Sequence, residues 1–320
     1  MLDLPPPAEP YERGMLDAGD GQRLYWEECG DPAGKPAVVL HGGPGSGCAP
    51  WMRLLFDPKA YRVVLVDQRG AGRSLPNAGD LDADLSVNTT AHLLADIERL
   101  REHRGIERWL VLGMSWGSTL GLAYAQQHPE RVSEVVLMAV TNPRRSDVEW
   151  ITRGVGRFLP REWEAFRDGV PAAERDGNLA AAYARLLASP DAEVRAQAAR
   201  DWCDWEAALV SLDPNGGAGE RFADPDFRFA FARVVTHYFA NAAFLEEDQL
   251  LRDAHRLAGI PAVLIHGRLD LGGPLEIAWQ LHRAWPGSEL VVLDGSGHIS
   301  MDMGRAAAEA IHRFAPAAGG

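Results

Sequence analysis

Gly113-Met114-Ser115-Trp116-Gly117 is the stretch of sequence that decides the fold, because of what precedes and follows it. The apolar run 109–112 before it is typical of a buried strand, and residues 118–127 after it are typical of a helix. A serine in such a tight turn has a strained backbone, and side chains at positions 113 and 117 would crowd the strand and the helix. The helix N-terminus directs free N–H groups at the serine. This context predicts a nucleophilic Ser115 rather than an ordinary glycine-rich turn.

Two candidate partners for Ser115 follow later in the chain, each just past a predicted strand. Residues 261–267 are predicted to form a buried strand that leads to Asp270, and residues 289–293 another that leads to His298. Ligands bind at the carboxyl edge of open α/β sheets, so we expect both side chains there. The order serine, acid, histidine is that of an α/β-hydrolase. In this arrangement neutral His298 takes the serine proton, and Asp270 orients the imidazole and stabilises the imidazolium.

An early glycine-rich loop supplies a candidate oxyanion hole. The apolar run 37–40 is predicted to be a buried strand, and it leads into His41-Gly42-Gly43-Pro44-Gly45. Glycines let the backbone come close to a ligand and expose its N–H groups. A loop of this type donates one N–H to an oxyanion, and the residue after the nucleophile donates the other. We therefore predict that Gly43 and Trp116 form the oxyanion hole, and we expect His41 to brace the loop.

Taken together, these motifs resemble those of the proline iminopeptidases, a branch of the α/β-hydrolases. The resemblance covers nearly the whole chain and is strongest over residues 36–140. It implies a Ser-Asp-His triad, no cofactor, and removal of an N-terminal proline or another small residue from peptides and amides. The matching pieces are His41 to Gly45, Asp67 to Ser74, Asn88 to Thr90, Gly113 to Ser118 and Asp294 to His298.

The same resemblance implies a residue that recognises the substrate amine. In the family, a glutamate in a W-x-x-W-E segment binds that amine, and the matching residue here is Glu206 in the segment 202–206. The family commonly has a second such glutamate, but the matching segment 232–239 has Val235 at that position. One carboxylate should hold an ammonium group less firmly than two, and valine favours an apolar group. We therefore expect N-terminal residues other than proline, or aminoacyl groups on small amines, among the substrates.

Three functions are compatible with these residues. The first is a serine-type aminopeptidase that forms an acyl-enzyme with a small peptide or aminoacyl amide substrate. The second is an esterase, lactonase or other amidase that uses the same triad, and it should be indifferent to loss of Glu206. The third is a non-catalytic binding protein on a hydrolase scaffold, which is disfavoured because all three triad residues are present.

Composition argues against several other classes. The net charge of −13 disfavours a nucleic-acid partner, and no apolar run is long enough to span a membrane. The three cysteines lack metal-type spacing and no H-E-x-x-H segment occurs, so we expect no metal. Free thiols, and an N-terminus (1–11) without the basic and apolar parts of a signal peptide, predict a cytoplasmic protein. Nothing in the sequence decides the oligomeric state.

The order of the predicted elements divides the chain into three parts. Residues 1–143 alternate strands with a helix over Thr90–His103, which predicts a mostly parallel sheet covered on both faces. Residues 144–255 are predicted to be an inserted helical cap, which would exclude water from the triad and select the substrate. Residues 256–320 return to the strand pattern and complete the core. The fold class predicted is therefore the α/β-hydrolase fold with a helical cap.

Overall fold

An eight-stranded sheet forms the centre of the protein in the computed structural model, which describes residues 8–210 and 221–316. The strand order is β1-β2-β4-β3-β5-β6-β7-β8. Strand β2 pairs antiparallel with β1 and β4, whereas all other neighbouring strands are parallel, which confirms the predicted sheet. The strands are β1 (Glu12–Gly19), β2 (Gln22–Gly30), β3 (Lys35–Leu40), β4 (Tyr61–Val66), β5 (Trp109–Met114), β6 (Val132–Met138), β7 (Ala262–Gly267) and β8 (Ser288–Leu293).

Helices cover the sheet and also form the described part of the sequence between β6 and β7. Between those two strands the described residues form helices and no strand, in the region where the sequence predicts a cap. Helix α1 has the predicted bounds. Among the described residues the α-helices are α1 (Thr90–His103), α2 (Trp116–Gln127), α3 (Arg145–Thr152), α4 (Pro160–Asp168), α5 (Leu179–Leu187), α6 (Ala192–Val210), α7 (Pro225–Ala240), α8 (Gln249–Arg252), α9 (Leu275–Ala284) and α10 (Met301–Arg313).

The central strands are apolar along their whole length because both faces of the sheet are covered. Every residue of β5 is buried, as expected for a parallel strand between two layers of helices. Alternate residues face opposite layers. Val111 packs in one apolar cluster with Val38, and Leu112 packs in the other with Val39. The uniformly hydrophobic runs in the sequence are thus the central strands of the sheet, whose two faces are both covered.

The parallel strands bring the predicted site residues to one edge. Strands β3 and β5 are neighbours, and Leu40 pairs with Gly113. The loop after β3 therefore begins beside the turn that contains Ser115. Because β6, β7 and β8 continue the parallel set, the loops with Asp270 and His298 leave the sheet at the same edge.

Two further findings concern the predicted location of the protein. No helix within the described ranges is long and apolar enough to cross a membrane. Residues 1–7, which make up most of the segment on which the signal-peptide prediction rests, lie outside the described residues.

Candidate active site

Ser115 occupies the strained turn that the sequence predicts between β5 and α2. Its backbone has φ 53° and ψ −123°, a conformation that L-residues rarely adopt. Its N–H donates to the carbonyl of Met138 at 2.9 Å. Its carbonyl accepts from the Ser118 N–H at 2.7 Å and from the Thr141 hydroxyl at 2.9 Å. These hydrogen bonds offset part of the strain and hold the side chain at the edge of the sheet.

The structure brings Ser115, His298 and Asp270 into one hydrogen-bonded chain. The Ser115 Oγ lies 2.8 Å from Nε2 of His298, and Nδ1 of His298 lies 2.7 Å from Oδ2 of Asp270. The other carboxylate oxygen, Oδ1, accepts the Gly273 N–H at 2.9 Å. The Nδ1–H of His298 therefore donates to Asp270, and its Nε2 is left to accept the serine proton.

The pKa shifts of His298 and Asp270 suit a histidine that acts as a general base. Burial alone would lower the pKa of His298, but the carboxylates of Asp270 and, to a smaller extent, Glu206 together outweigh burial and raise that pKa above its usual value. Burial would raise the pKa of Asp270, yet its interactions with His298, His266 and the Gly273 N–H lower it. Asp270 consequently remains ionised when His298 is neutral, and the pair can accept a proton from Ser115.

The predicted oxyanion residues, Gly43 and Trp116, line the same cleft as Ser115 and His298. Trp116 is the first residue of α2, so its N–H belongs to the positive end of that helix. Gly43 has φ +116°, and a Cβ there would lie 2.8 Å from the Ser46 nitrogen. The position therefore requires glycine, both for its backbone angle and for the tight loop around it.

Gln68 holds the two oxyanion segments together, a role that sequence analysis missed. Its side-chain N–H donates to the carbonyl of His41 at 3.0 Å, and its side-chain oxygen accepts from Nε1 of Trp116 at 2.9 Å. Its backbone N–H donates to Nε2 of His41 at 3.0 Å, so the His41 Nδ1–H donates to the Gly42 carbonyl at 2.9 Å. His41, which was expected to brace the loop, thus does so as a buried neutral imidazole, and burial lowers its pKa.

The rest of the Asp67 to Ser74 motif supports this loop from behind. The Asp67 carboxylate accepts the Cys48 N–H at 2.7 Å and both the backbone N–H and Nε–H of Arg73, at 2.9 and 2.8 Å. Arg69 forms a buried ion pair with Asp96 of α1 at 2.6 Å. The motif therefore has a structural role, because its charged side chains are held in ion pairs, Asp67 with Arg73 and Arg69 with Asp96.

A cleft above Ser115 combines an apolar lining with two acids. Glu206, the predicted amine-binding residue, lines it from α6, and Asp147 lines it from α3. Burial raises the pKa of Glu206, while the charges of Arg221 and His298 act in the opposite direction. Asp147 is paired with Arg144 at 2.6 Å. The apolar part of the lining consists of Val148, Ile151, Leu209, Val210, Phe239 and Ile277.

Val235, which stands where the family commonly has a second glutamate, lies away from the cleft lining. Its side chain is fully buried in an apolar cluster with Trp202 and Phe231.

Of the two acids in the cleft, Asp147 was not singled out by sequence analysis, because nothing in its local pattern distinguishes it from a solvated helical residue. Within the described ranges, no group of three or more His, Cys, Asp or Glu side chains could hold a metal ion.

Helix α7 is tied to the core next to this cleft by the Asn88 segment. The Asn88 side chain donates to the Arg69 carbonyl at 2.9 Å and accepts from the Tyr238 hydroxyl at 2.8 Å. Nε2 of His237 lies 2.9 Å from the Asn88 carbonyl. His237 therefore contributes a hydrogen bond to this link. Together these contacts fix α7 against the core that holds the triad.

Comparison with known proteins places the chain in a family. Residues 35–304 match the family described as alpha/beta hydrolase fold. The chain is 58% identical over 301 residues to a probable proline iminopeptidase of Streptomyces coelicolor, with 93% of each protein covered. It is 48% identical over 304 residues to a proline iminopeptidase of Xylella fastidiosa, covering 94% of this chain and 95% of that protein.

Solved structures agree on the fold. A putative lipase from Acinetobacter baumannii superimposes with a TM-score of 0.61 at 16% identity, covering 95% of this chain and 89% of that chain. At this identity the likeness concerns the fold alone, and it confirms the predicted α/β-hydrolase fold. With the fold, the family match and the high identity of the relatives in agreement, the chain belongs to the proline iminopeptidase branch of the α/β-hydrolases.

Proposed function

We propose that this protein is a serine-type aminopeptidase that releases an N-terminal proline, or another small residue, from short peptides or aminoacyl amides. The observation that carries the proposal is the hydrogen-bonded chain Ser115–His298–Asp270 at the base of a cleft that also contains Glu206. Relatives at 58% and 48% identity that are named proline iminopeptidases support the same activity.

In this mechanism His298 transfers one proton in each of two half-reactions, first from Ser115 to the departing amine and then from water to Ser115. The Ser115 Oγ attacks the carbonyl carbon of the N-terminal residue while Nε2 of His298 takes its proton. When the C–N bond breaks, His298 gives that proton to the departing amine, and an ester of Ser115 remains. Water then attacks the ester with His298 as the base, which releases the free amino acid and regenerates Ser115. Asp270 remains ionised throughout and stabilises the imidazolium.

The N–H groups of Gly43 and Trp116 stabilise the negative charge that develops on the carbonyl oxygen, by donating hydrogen bonds to it. Both residues line the cleft next to Ser115, and Trp116 adds the positive end of α2. Donors that are fixed before the reaction stabilise the transition state without reorganisation. The contacts of Gln68 with both segments supply that fixation.

In this proposal Glu206 binds the ammonium group of the substrate. It lines the same cleft as Ser115, and its charge interacts with that of His298, so the two lie near enough to serve one small substrate. An ammonium group brought next to a partly buried carboxylate forms a charge-assisted hydrogen bond. The apolar lining of the cleft suits the ring of proline or another small apolar side chain.

In this proposal the region 144–255 acts as a cap that limits the size of the substrate. Helices α3 and α6, which carry Asp147 and Glu206, belong to it and line the cleft. Small peptides or aminoacyl amides are the substrates that such a covered cleft admits.

A cytoplasmic location forms part of the same proposal, and it is supported by the three cysteines, all of which are free thiols.

Matched chromogenic substrates test this function. Prolyl, alanyl and N-acetyl-prolyl anilides and a simple p-nitrophenyl ester are compared, with Ser115→Ala as the control for background hydrolysis. Cleavage of the prolyl anilide without cleavage of its acetylated form is the expected result, and the prolyl to alanyl ratio measures how strictly proline is preferred. Cleavage of the ester alone would contradict the aminopeptidase and favour a general esterase.

A further inference from the structure

His266 makes an unusual set of contacts for a histidine inside an apolar core. It is the next-to-last residue of β7, and its side chain is fully buried. By the alternation of the strand it faces the same layer as Leu264, in the apolar cluster that includes residues of α9. A polar ring in such a place costs free energy unless both nitrogens are hydrogen-bonded.

Both nitrogens of His266 are satisfied, and their partners fix the tautomer. Nδ1 accepts the backbone N–H of Val140 at 3.1 Å, so the proton is on Nε2. The Nε2–H donates to the carbonyl of Gly273 at 2.7 Å, and the same atom lies 3.6 Å from Oδ2 of Asp270. Burial lowers the pKa of His266, which keeps the ring neutral beside the carboxylate.

These contacts join the two halves of the triad through one side chain. Val140 precedes Thr141, whose hydroxyl donates to the carbonyl of Ser115. Gly273 lies in the loop of Asp270, and its own N–H donates to the Asp270 carboxylate at 2.9 Å. One imidazole therefore links the segment that supports the nucleophile to the segment that carries the acid.

We propose that His266 is a positioning residue for the triad: as a neutral Nε2–H imidazole it fixes the loop of Asp270 relative to Ser115. The proposal deepens the proposed function and rests on it for the roles of Ser115, His298 and Asp270. Without His266 the acid loop would lose its hydrogen-bonded link to Val140, in the segment that follows β6, and Asp270 would no longer be held at its short distance from His298. Misplacement of a reacting group by about 1 Å can cost roughly 100-fold in rate.

Two substitutions separate the two ring nitrogens. His266→Asn places an amide oxygen near the Nδ1 position and keeps an acceptor for Val140, but it has no group that reaches Gly273. His266→Gln places an amide N–H near the Nε2 position and keeps the donor to Gly273. His282→Asn is the matched control, since that histidine contacts Ser288 at the start of β8, away from the carboxyl edge.

The experiment measures the rate at which a fluorophosphonate modifies Ser115, as a function of pH. In this reaction an Oγ–P bond forms, the P–F bond breaks with release of fluoride, and His298 takes the serine proton. It requires the triad but no amine recognition, so its result is independent of whether the protein is an aminopeptidase. Thermal unfolding and circular dichroism establish that each variant is folded at the assay temperature.

We expect His266→Asn to slow the modification about 100-fold and His266→Gln to restore most of the rate, with His282→Asn unchanged. The titratable groups that face His266 are Asp270 and His298. Once Asp270 no longer stabilises the imidazolium, the pH at half-maximal rate should also fall in His266→Asn. Equal rates for the Asn and Gln variants, or a lower melting temperature without a lower rate, would overturn the proposal.

Discussion

A Cβ atom on Gly117 would stand 2.7 Å from the carbonyl carbon of Leu40, with the Leu40 carbonyl oxygen closer still. The first turn of α2 therefore lies directly on the end of β3, backbone against backbone. This contact joins the turn of Ser115 to the strand that leads into the oxyanion loop. Position 117 therefore has no room for a side chain. The same holds for position 113, where a Cβ atom would meet backbone atoms of Gly117 and Ser118.

Gly117→Ala should strongly destabilise the protein. The added methyl group overlaps backbone, which cannot move aside as a flexible side chain could, and overpacking of this kind typically costs about 1–3 kcal/mol or more. Gly304→Ala in α10 is the matched control, because its Cβ would meet only a Leu55 methyl group at 3.9 Å. In a helix interior that change should be neutral or stabilising by up to about 1 kcal/mol. Melting temperatures of the two variants check the difference, and equal values would contradict it.

The sequence predicts the parallel strands better than the antiparallel ones. Strands β3 to β7 are short apolar runs that are mostly buried, so hydrophobicity alone marks them, and β8 has a similar apolar run although none of its residues is fully buried. Strands β1 and β2 are not marked in this way because they are antiparallel strands near one edge of the sheet, with charged residues among the apolar ones, such as Glu27 and Glu28. Both glutamates are buried and paired with arginines distant in sequence, Glu27 with Arg53 and Glu28 with Arg104. Such pairing is visible only in three dimensions.

The same limit applies to the site. Ser115, Asp270 and His298 could be named because each follows a predicted strand in a fixed order. Gln68 and His266 could not be given roles, since their partners lie 48 and 126 residues away at Trp116 and Val140. A motif identifies residues that act on substrate, but the residues that hold them in place are defined by tertiary contacts.

The pH dependence of activity should follow His298. The reaction needs this imidazole neutral, so kcat/KM should rise as the pH passes through its pKa, and it should fall again at the pH where the substrate ammonium group that Glu206 binds loses its proton. Because Asp270 raises that pKa, the midpoint should lie above the ordinary value of about 6.5. Asp270→Asn should lower kcat by about 10⁴-fold and move the midpoint to lower pH. A pH profile of kcat/KM with the prolyl anilide checks both, and an unshifted midpoint in the variant would contradict this role of Asp270.

Loss of the Glu206 charge should weaken binding of substrates that have a free amine. A hydrogen bond to a charged group contributes about 1.5–3 kcal/mol, so Glu206→Gln should raise KM for the prolyl anilide by about 10- to 150-fold. Hydrolysis of a p-nitrophenyl ester without an amine should change little. Glu164→Gln on the exposed face of α4 serves as the control. If the ester and the anilide lose activity together, Glu206 acts on the triad and not on the amine.

The side chain of Gln68 should be needed to brace the oxyanion hole, because it contacts both of the segments that form it. Gln68→Leu removes both the donor to the His41 carbonyl and the acceptor for Nε1 of Trp116. The N–H groups of Gly43 and Trp116 would then no longer be fixed relative to one another. Loss of one oxyanion donor costs about 100- to 1000-fold in rate, so a misplaced pair should lower kcat by at least about 10-fold while KM changes little.

Gln126→Leu provides the matched comparison for that change. Gln126 is equally buried, and its side chain donates to the Leu250 carbonyl at 2.7 Å, away from the cleft. Both variants lose a buried hydrogen bond, so both should lower the melting temperature. Only Gln68→Leu should lower kcat, because only that side chain connects the two oxyanion segments. A similar loss of kcat in both variants would mean that buried glutamines affect activity through general stability, and the brace would then have no specific part in catalysis.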